Sequence, residues 1–313
     1  MLTITVPVHN EEESVGAVVD AVRDALRDWR DEWELIFVDD GSGDDTAHAV
    51  ASRMQEEPRI RLVRLARNYG QSVAMQAGFD HARGELIVSM DGDLQNDPRD
   101  IPALVAKLAE GYDLVAGYRE RRQDRLITRR LPSWVGNMLI RWVTSVPIRD
   151  TGCTLKVFRR ELLERLNLYS DLHRFIPALA VAVAGARIAE LPVRHHPRRF
   201  GHAKYGISRV AKLLPDLLTL AMLVRSRERP LRMFAKAGFA AFAVALLASV
   251  LAMLSAVDRS DIGSVVVLTA FAACWLTLSG FLIMVGLIAE TWLQSGPTNR
   301  TFGGVLLRGI GAP

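Results

Sequence analysis

The stretch that decides the fold is Leu86-Ile87-Val88-Ser89-Met90-Asp91-Gly92-Asp93-Leu94-Gln95. Its first five residues carry no charge and are mostly large and apolar, as expected of a strand buried on both faces, and they run straight into two carboxylates separated by a glycine. In open α/β sheets ligands bind outside the carboxyl ends of the strands, so an acidic turn at that position is a candidate site. Working outward, Ile4-Thr5-Val6-Pro7-Val8, Leu35-Ile36-Phe37-Val38 and Arg61-Leu62-Val63-Arg64-Leu65 are similar short runs, spaced at roughly 30 residues with helix-like segments between them. That rhythm predicts βαβ units and a mostly parallel, Rossmann-like α/β sheet covered by helices over residues 1 to about 195. The polar residues that follow the strands are Asn10-Glu11, Asp39-Asp40 and Asp91-Gly92-Asp93.

The chain has 313 residues, 50% of them hydrophobic and 24% charged, with a net charge of +4. That length holds one large domain and something smaller, and the composition excludes disorder, collagen and coiled coil. Two cysteines, Cys153 and Cys274, cannot build a disulfide framework or a four-thiolate zinc site, which fits a reducing compartment. The opening residues have no basic segment followed by a long apolar run, so no secretory leader is expected.

The apolar residues concentrate late in the chain. Residues 237 to 257 and 262 to 289 carry no charge, and each run meets the roughly 20-residue length that crosses a bilayer core. Only Asp258-Arg259-Ser260-Asp261 separates them, which predicts a two-helix transmembrane hairpin. Arg225, Arg227, Arg229, Arg232 and Lys236 lie before it and Arg300 and Arg308 after it. The positive-inside rule then puts both termini and the N-terminal domain in the cytoplasm, as an integral protein of the cytoplasmic (inner) membrane. Residues 207 to 224 intersperse Ile207, Val210, Leu213, Leu217 and Met222 with Arg209, Lys212 and Asp216, as an amphipathic helix on membrane lipids would, with Pro215 kinking it. The expected divisions are 1–206, 207–230, 231–290 and a cytoplasmic tail at 291–313. Nucleic acid is not expected as a partner, because a basic cluster beside a membrane anchor has a nearer anionic surface.

Asp91 and Asp93, with a glycine between them that allows a tight turn, suit a hard divalent cation held against a diphosphate. Several carboxylates converging on one crevice repel one another unless a cation lies among them. Gly41-Ser42-Gly43 lacks the third glycine of a dinucleotide fingerprint, and no G-x-x-x-x-G-K-[ST] loop occurs, which argues against a dinucleotide enzyme or an ATPase. His195, His196 and His202 have no cysteine or carboxylate at ligand spacing and are read as structural. Cys153 is read as a small packed side chain.

Three motifs together resemble the nucleotide-sugar motifs of family 2 glycosyltransferases of the GT-A fold: Val6-Pro7-Val8-His9-Asn10-Glu11-Glu12, Val38-Asp39-Asp40-Gly41-Ser42 and Met90-Asp91-Gly92-Asp93-Leu94-Gln95-Asn96-Asp97-Pro98. The stretch Arg198-Arg199-Phe200-Gly201-His202-Ala203-Lys204-Tyr205-Gly206 and the hairpin narrow the resemblance to polyprenyl-phosphate glycosyltransferases, the group of dolichol-phosphate mannose synthases and bactoprenol glucosyltransferases. The resemblance implies that Pro7, Asn10, Glu11, Asp39, Asp91 and Gly92 line the nucleotide pocket, with Asp39 addressing the base. It implies that Asp93 and Gln95 hold Mg²⁺ or Mn²⁺ on the diphosphate, that Arg119 lies near the phosphates, and that Arg198 and Lys204 take the acceptor phosphate. Ala203 stands where the motif has serine. Asp150 is carried as a candidate general base beside a capping or hydrogen-bonding role.

The implied reaction is an inverting, metal-dependent transfer from a nucleotide sugar to undecaprenyl or dolichyl phosphate, with UDP-glucose favoured over GDP-mannose because the hairpin has two spans. A lipid phosphate is already largely anionic at neutral pH, so strong base catalysis is not required. The rivals are an inert nucleotide-sugar-binding scaffold and a processive polysaccharide synthase. Against the second, Met138 stands at the glutamine position of Q-x-x-R-W ahead of Arg141-Trp142, and two spans are few for a polymer channel. A homotetramer is expected, because the amphipathic segment and the spans present more apolar surface than one hairpin covers.

Overall fold

In the computed structural model the described residues are 1–119, 146, 148–166, 168, 172–197, 230–257 and 262–295. Arg198, Lys204, Met138, the segment 207–229, the link 258–261 and the tail from 296 onward lie outside them. The chain divides into two compact units, one built on a sheet and one on two long helices.

Seven strands form the sheet: β1 (Leu2–Val8), β2 (Trp33–Asp39), β3 (Ile60–Arg64), β4 (Leu86–Ser89), β5 (Leu114–Arg119), β6 (Lys156–Arg159) and β7 (Ile188–Val193), in the order β3-β2-β1-β4-β6-β5-β7. Every neighbouring pair is parallel except those made by β6, which runs against both β4 and β5. The first four strands match the apolar runs read from the sequence to within two residues at each end.

Eight helices accompany the strands among the described residues: α1 (Glu12–Ala25), α2 (Thr46–Glu56), α3 (Gln71–His81), α4 (Ile101–Ala109), the single turn α5 (Arg160–Leu163), α6 (Ile176–Ala184), α7 (Pro230–Val257) and α8 (Ile262–Ser295). Leu2, Ile4, Val6 and Val8 of β1 and Leu35 and Phe37 of β2 share a core with α1 and α4. Ile36 and Val38, alternating with them, face α3 instead. Both faces of the central strands are therefore covered, which is why they read as nearly unbroken apolar runs. α1 carries four buried valines, Val15, Val18, Val19 and Val22. Each costs up to ~0.7 kcal/mol of helix propensity against alanine, while burying it contributes ~1.5–3 kcal/mol, so packing decides that this segment is helical.

The strand directions set the position of the site. β1, β2, β4, β5 and β7 all end on one side, and β6, running the other way, begins there. Asn10, Asp39, Asp91, Arg119 and Arg194 therefore emerge at the same end of the sheet as the segment Asp150–Leu155 that precedes β6. A cavity of about 910 Å³ lies at the opposite end, lined among others by Arg30, Trp33, Arg59 and Arg83, and no candidate site residue contributes to it.

In the second unit α7 and α8 pack through small residues. Gly238, Ala241, Ala245, Ala248 and Ala252 are buried at spacings of three and four. A Cβ added to Gly238 would lie 2.8 Å from Ile283 Cγ1. The large side chains point outward: Phe239 is 66% exposed, Met253 71% and Ile262 85%. Both helices are long and apolar enough to cross a membrane. α8 continues to Ser295, beyond the boundary at 290 expected from the sequence.

Candidate active site

The first two loops at the carboxyl end of the sheet lock each other. Asn10, at φ 54°, accepts a bond from the Gly43 N–H on its Oδ1 at 2.9 Å, while its own N–H donates to Ser42 Oγ at 2.9 Å. The Glu11 N–H donates to Thr46 Oγ1 at 2.9 Å. Asn tolerates the left-handed conformation better than other residues, so the sequence supplies a suitable residue at the bend. Gly41 has φ +65°, and a Cβ there would lie 2.4 Å from the Arg67 carbonyl carbon. Asp39 is fully buried; its Oδ1 accepts the Ser42 N–H at 2.9 Å. Its Oδ2 is ion-paired with Arg64 Nε at 3.2 Å and is buried without accepting a hydrogen bond. Asp40 holds the next loop by accepting the N–H groups of Tyr69 and Gly70 at 2.7 and 2.9 Å. Burial pushes the Asp40 carboxyl above its ordinary range, outweighing those two bonds.

The turn after β4 is tighter. Gly92 packs where a Cβ would meet Val8 Cγ1 at 2.9 Å, and Leu94 is held at φ 58°. A bulky residue in that region costs on the order of 1–3 kcal/mol, a strain that surrounding contacts must sustain. Asp93 is buried, and its Oδ1 accepts the Gln95 N–H at 3.0 Å. Asp91 Oδ1 accepts from Gln71 Nε2 at 2.8 Å. The Asp91 carboxyl is pushed up to about 6, first by burial and then by the charge of Asp93, against the pull of Thr154, Lys156 and Arg119. The acidic pair is thus electrostatically uncomfortable by itself.

Arg119 and Asp150, expected in separate roles, are brought together. Arg119 Nε and Nη2 donate to Asp150 Oδ2 and Oδ1 at 2.7 and 2.9 Å, a bidentate pair at the end of β5. The Gly152 N–H also donates to Asp150 Oδ1, at 3.1 Å. Pro7 is half-buried beyond the last β1 residue paired with β4, where a strand proline is tolerated. Cys153 is buried as expected.

Several residues near the turn have no role of their own in the sequence reading. Gln71 opens α3 after Gly70, twenty residues before the carboxylate it supports. Lys156 is 1% exposed on β6, opposite Ser89, and its Nζ donates to the Cys153 carbonyl. Burial holds its ammonium below the usual lysine range. A lone charge inside Leu155-Lys156-Val157-Phe158 was the available clue. Asn96 donates to Thr154 Oγ1 at 2.9 Å and pairs its backbone with His195 in an antiparallel bridge. Asp97 is buried, and its carboxyl nonetheless lies below the usual range because bonds from Arg99 and His196 and the charge of Arg194 outweigh burial.

Among the described residues no group of three or more His, Cys, Asp or Glu could hold a metal by itself. Two carboxylates and an amide fit a cation of the Mg²⁺ class, which characteristically takes one or two carboxylates and completes its shell with water and substrate phosphates. The raised Asp91 marks the charge such a cation would neutralise.

An acidic turn, buried carboxylates and an arginine gather at the carboxyl end of a mixed sheet of the GT-A fold. The chain belongs to glycosyl transferase family 2, matching that family over residues 3–166, and is a glycosyltransferase. It is 45% identical over 249 residues to the dodecaprenyl-phosphate galacturonate synthase of Rhizobium johnstonii, covering 79% of this chain and 74% of that one. It is 39% identical over 219 residues to the undecaprenyl-phosphate 4-deoxy-4-formamido-L-arabinose transferase of Salmonella choleraesuis, covering 70% and 66%. The fold resembles glucosyl-3-phosphoglycerate synthase of Mycobacterium tuberculosis, solved with Mn²⁺ and UDP-glucose, at TM-score 0.54 and 19% identity over 71% of this chain and 78% of that one.

Proposed function

We propose that this enzyme transfers a sugar, with inversion, from a nucleotide sugar to the phosphate of a membrane polyprenol. The observation that carries the reading is the Asp91-Gly92-Asp93 turn after β4, whose two carboxylates lie at the same end of the sheet as the Arg119–Asp150 pair after β5. The names of the two relatives, both transferases acting on polyprenyl phosphates, support the acceptor class.

Asp93 and Gln95 would hold Mg²⁺ or Mn²⁺, which stabilises the charge on a departing nucleoside diphosphate. Pro7, Asn10, Glu11, Asp39, Asp91 and Gly92 would shape the nucleotide pocket, with Asp39 addressing the base. Arg119, oriented by Asp150, would counter phosphate charge. Asp150 has both oxygens engaged, which favours the orienting role over that of general base. Arg198 and Lys204 would bind the acceptor phosphate, bringing two anionic reactants together. The donor is proposed as a UDP-sugar. UDP-glucose is the preference from the hairpin, and a uronic-acid donor stands beside it because one relative is named for galacturonate.

The hairpin would span the cytoplasmic membrane with both ends in the cytoplasm, in a homotetramer; the outward apolar faces of α7 and α8 support its contact with lipid. Incubation of the purified enzyme with undecaprenyl phosphate and UDP-glucose, UDP-galacturonate or GDP-mannose, with and without EDTA, tests the reading. A chelator-sensitive polyprenyl-phosphate sugar is expected with one donor. Transfer to water or soluble sugars alone would refute the acceptor class.

A further inference from the structure

The acidic turn is fastened on both flanks to one residue outside it, Thr154. The β4–β6 ladder ends at the pair Ser89–Lys156. Ser89, two residues before Asp91, donates its Oγ to the Thr154 carbonyl at 2.6 Å. Asn96, directly after Gln95, donates its Nδ2 to Thr154 Oγ1 at 2.9 Å. Cys153 Sγ lies 3.7 Å from Asn96 Oδ1, which orients the amide with its N–H groups toward the threonine. The buried Lys156 ammonium donates to the Cys153 carbonyl and so holds the peptide that leads into Thr154.

A hydroxyl oxygen that accepts from Asn96 keeps its own proton to donate, and Asp91 is the carboxyl that this hydroxyl addresses. Thr154 thereby links the first residue of the turn to the one that follows its last. Valine has nearly the same shape, so what threonine supplies at this half-buried position is the hydroxyl. The other end of the same segment holds Arg119: Asp150 accepts both guanidinium bonds, and the Gly152 N–H donates to Asp150. Residues 150–154 therefore carry the support of the arginine at one end and that of the acidic turn at the other.

We propose that Thr154 is a positioning residue for the cation: by holding Ser89 through its carbonyl and Asn96 through its hydroxyl, it sets the spacing of Asp93 and Gln95 between them. The proposal rests on the functional reading above and deepens it, adding a residue that orients the cation ligands without touching the cation.

The test uses full-length protein in detergent, with Thr154→Val, Thr154→Ser and Ser89→Ala. Mn²⁺ affinity at saturating UDP is read by electron paramagnetic resonance, and transfer to undecaprenyl phosphate is followed against Mn²⁺ concentration. Thr154→Val is expected to weaken Mn²⁺ binding about ten-fold, as replacing groups that orient metal ligands does. Half-maximal transfer should then need about ten-fold more Mn²⁺, while the rate at saturating Mn²⁺ stays within about three-fold of wild type. Thr154→Ser keeps the hydroxyl and should hold its Mn²⁺ affinity within about three-fold. Ser89→Ala releases the carbonyl and leaves the hydroxyl in place; it should weaken Mn²⁺ by more than about three-fold, and it carries the test if Thr154→Val does not fold. Mn²⁺ affinity within about two-fold of wild type in Thr154→Val or, failing that variant, in Ser89→Ala would overturn the proposal. Equal losses in the valine and serine variants, or a lower saturating rate with an unchanged Mn²⁺ requirement, would overturn it as well. A wild type that binds no Mn²⁺ in the presence of UDP would instead overturn the functional reading.

Discussion

At the scale of single residues the site is a problem of like charge. Asp91 and Asp93 were legible in the sequence because two carboxylates directly after an apolar strand need a reason to be there. Their supports were not: Gln71, Thr154 and Lys156 reach the turn from 20, 63 and 65 positions away in the chain, and nothing local marks such partners. Asp93→Ala removes a proposed cation ligand from a turn, so transfer should fall below detection while the thermal midpoint changes little. A mutant active in excess EDTA would contradict this. Asp91 has its folded-state value raised, so its ionised form is penalised by folding. In metal-free protein its contribution therefore erodes stability as pH rises from the usual carboxylate value of 3.8 through about 6. Asp91→Asn should accordingly stabilise the metal-free protein at pH 7 and add little at pH 4, as measured by denaturant midpoints. Equal effects at both pH values would exclude the charge explanation.

At the scale of elements, strand ends and loops are matched pairs. The triplet Gly41-Ser42-Gly43 separates two uses of glycine: Gly41 has positive φ and backbone within reach of any Cβ, whereas Gly43 has nothing within 4 Å. Gly41→Ala should cost more than ~2 kcal/mol and depress activity, and Gly43→Ala should cost less than ~1 kcal/mol, by urea titration. Similar losses in the two would show that the loop has relaxed. The strands β1 to β4 were readable because parallel strands buried on both faces are continuous apolar runs. β6 was not, since Lys156-Val157-Phe158-Arg159 is four residues with a charge at each end. Its antiparallel insertion is nonetheless what brings Asp150, Thr154 and Lys156 to the end of the sheet that carries the acidic turn. Arg119 and Asp150 were each named from the sequence, but their bidentate pairing depends on that reversal.

At the scale of the whole molecule, two units obey opposite packing rules. The sheet unit hides its large apolar residues, while α7 and α8 bury alanines and expose phenylalanine, methionine and isoleucine, an inversion suited to lipid. Gly238→Leu should lower the thermal midpoint in detergent, because it forces a side chain against Ile283 and Ser279, at a cost of ~1–3 kcal/mol. Phe239→Ala, on the outward face, should change stability by less than ~0.5 kcal/mol; the reverse order would place the interface elsewhere. Hydropathy made the two long helices legible, and the small-residue seam explains how they pair. The homotetramer is checked by native mass spectrometry, which should give four subunits across mild detergents; monomer throughout would contradict it. The most direct test of the central claim is sugar transfer itself. With undecaprenyl phosphate, a matching nucleotide sugar and Mg²⁺ or Mn²⁺, mass spectrometry should find one sugar joined to the lipid phosphate, lost with EDTA and restored by the cation. Undiminished transfer in excess chelator, or no lipid-linked sugar from any donor in the panel, would contradict the account.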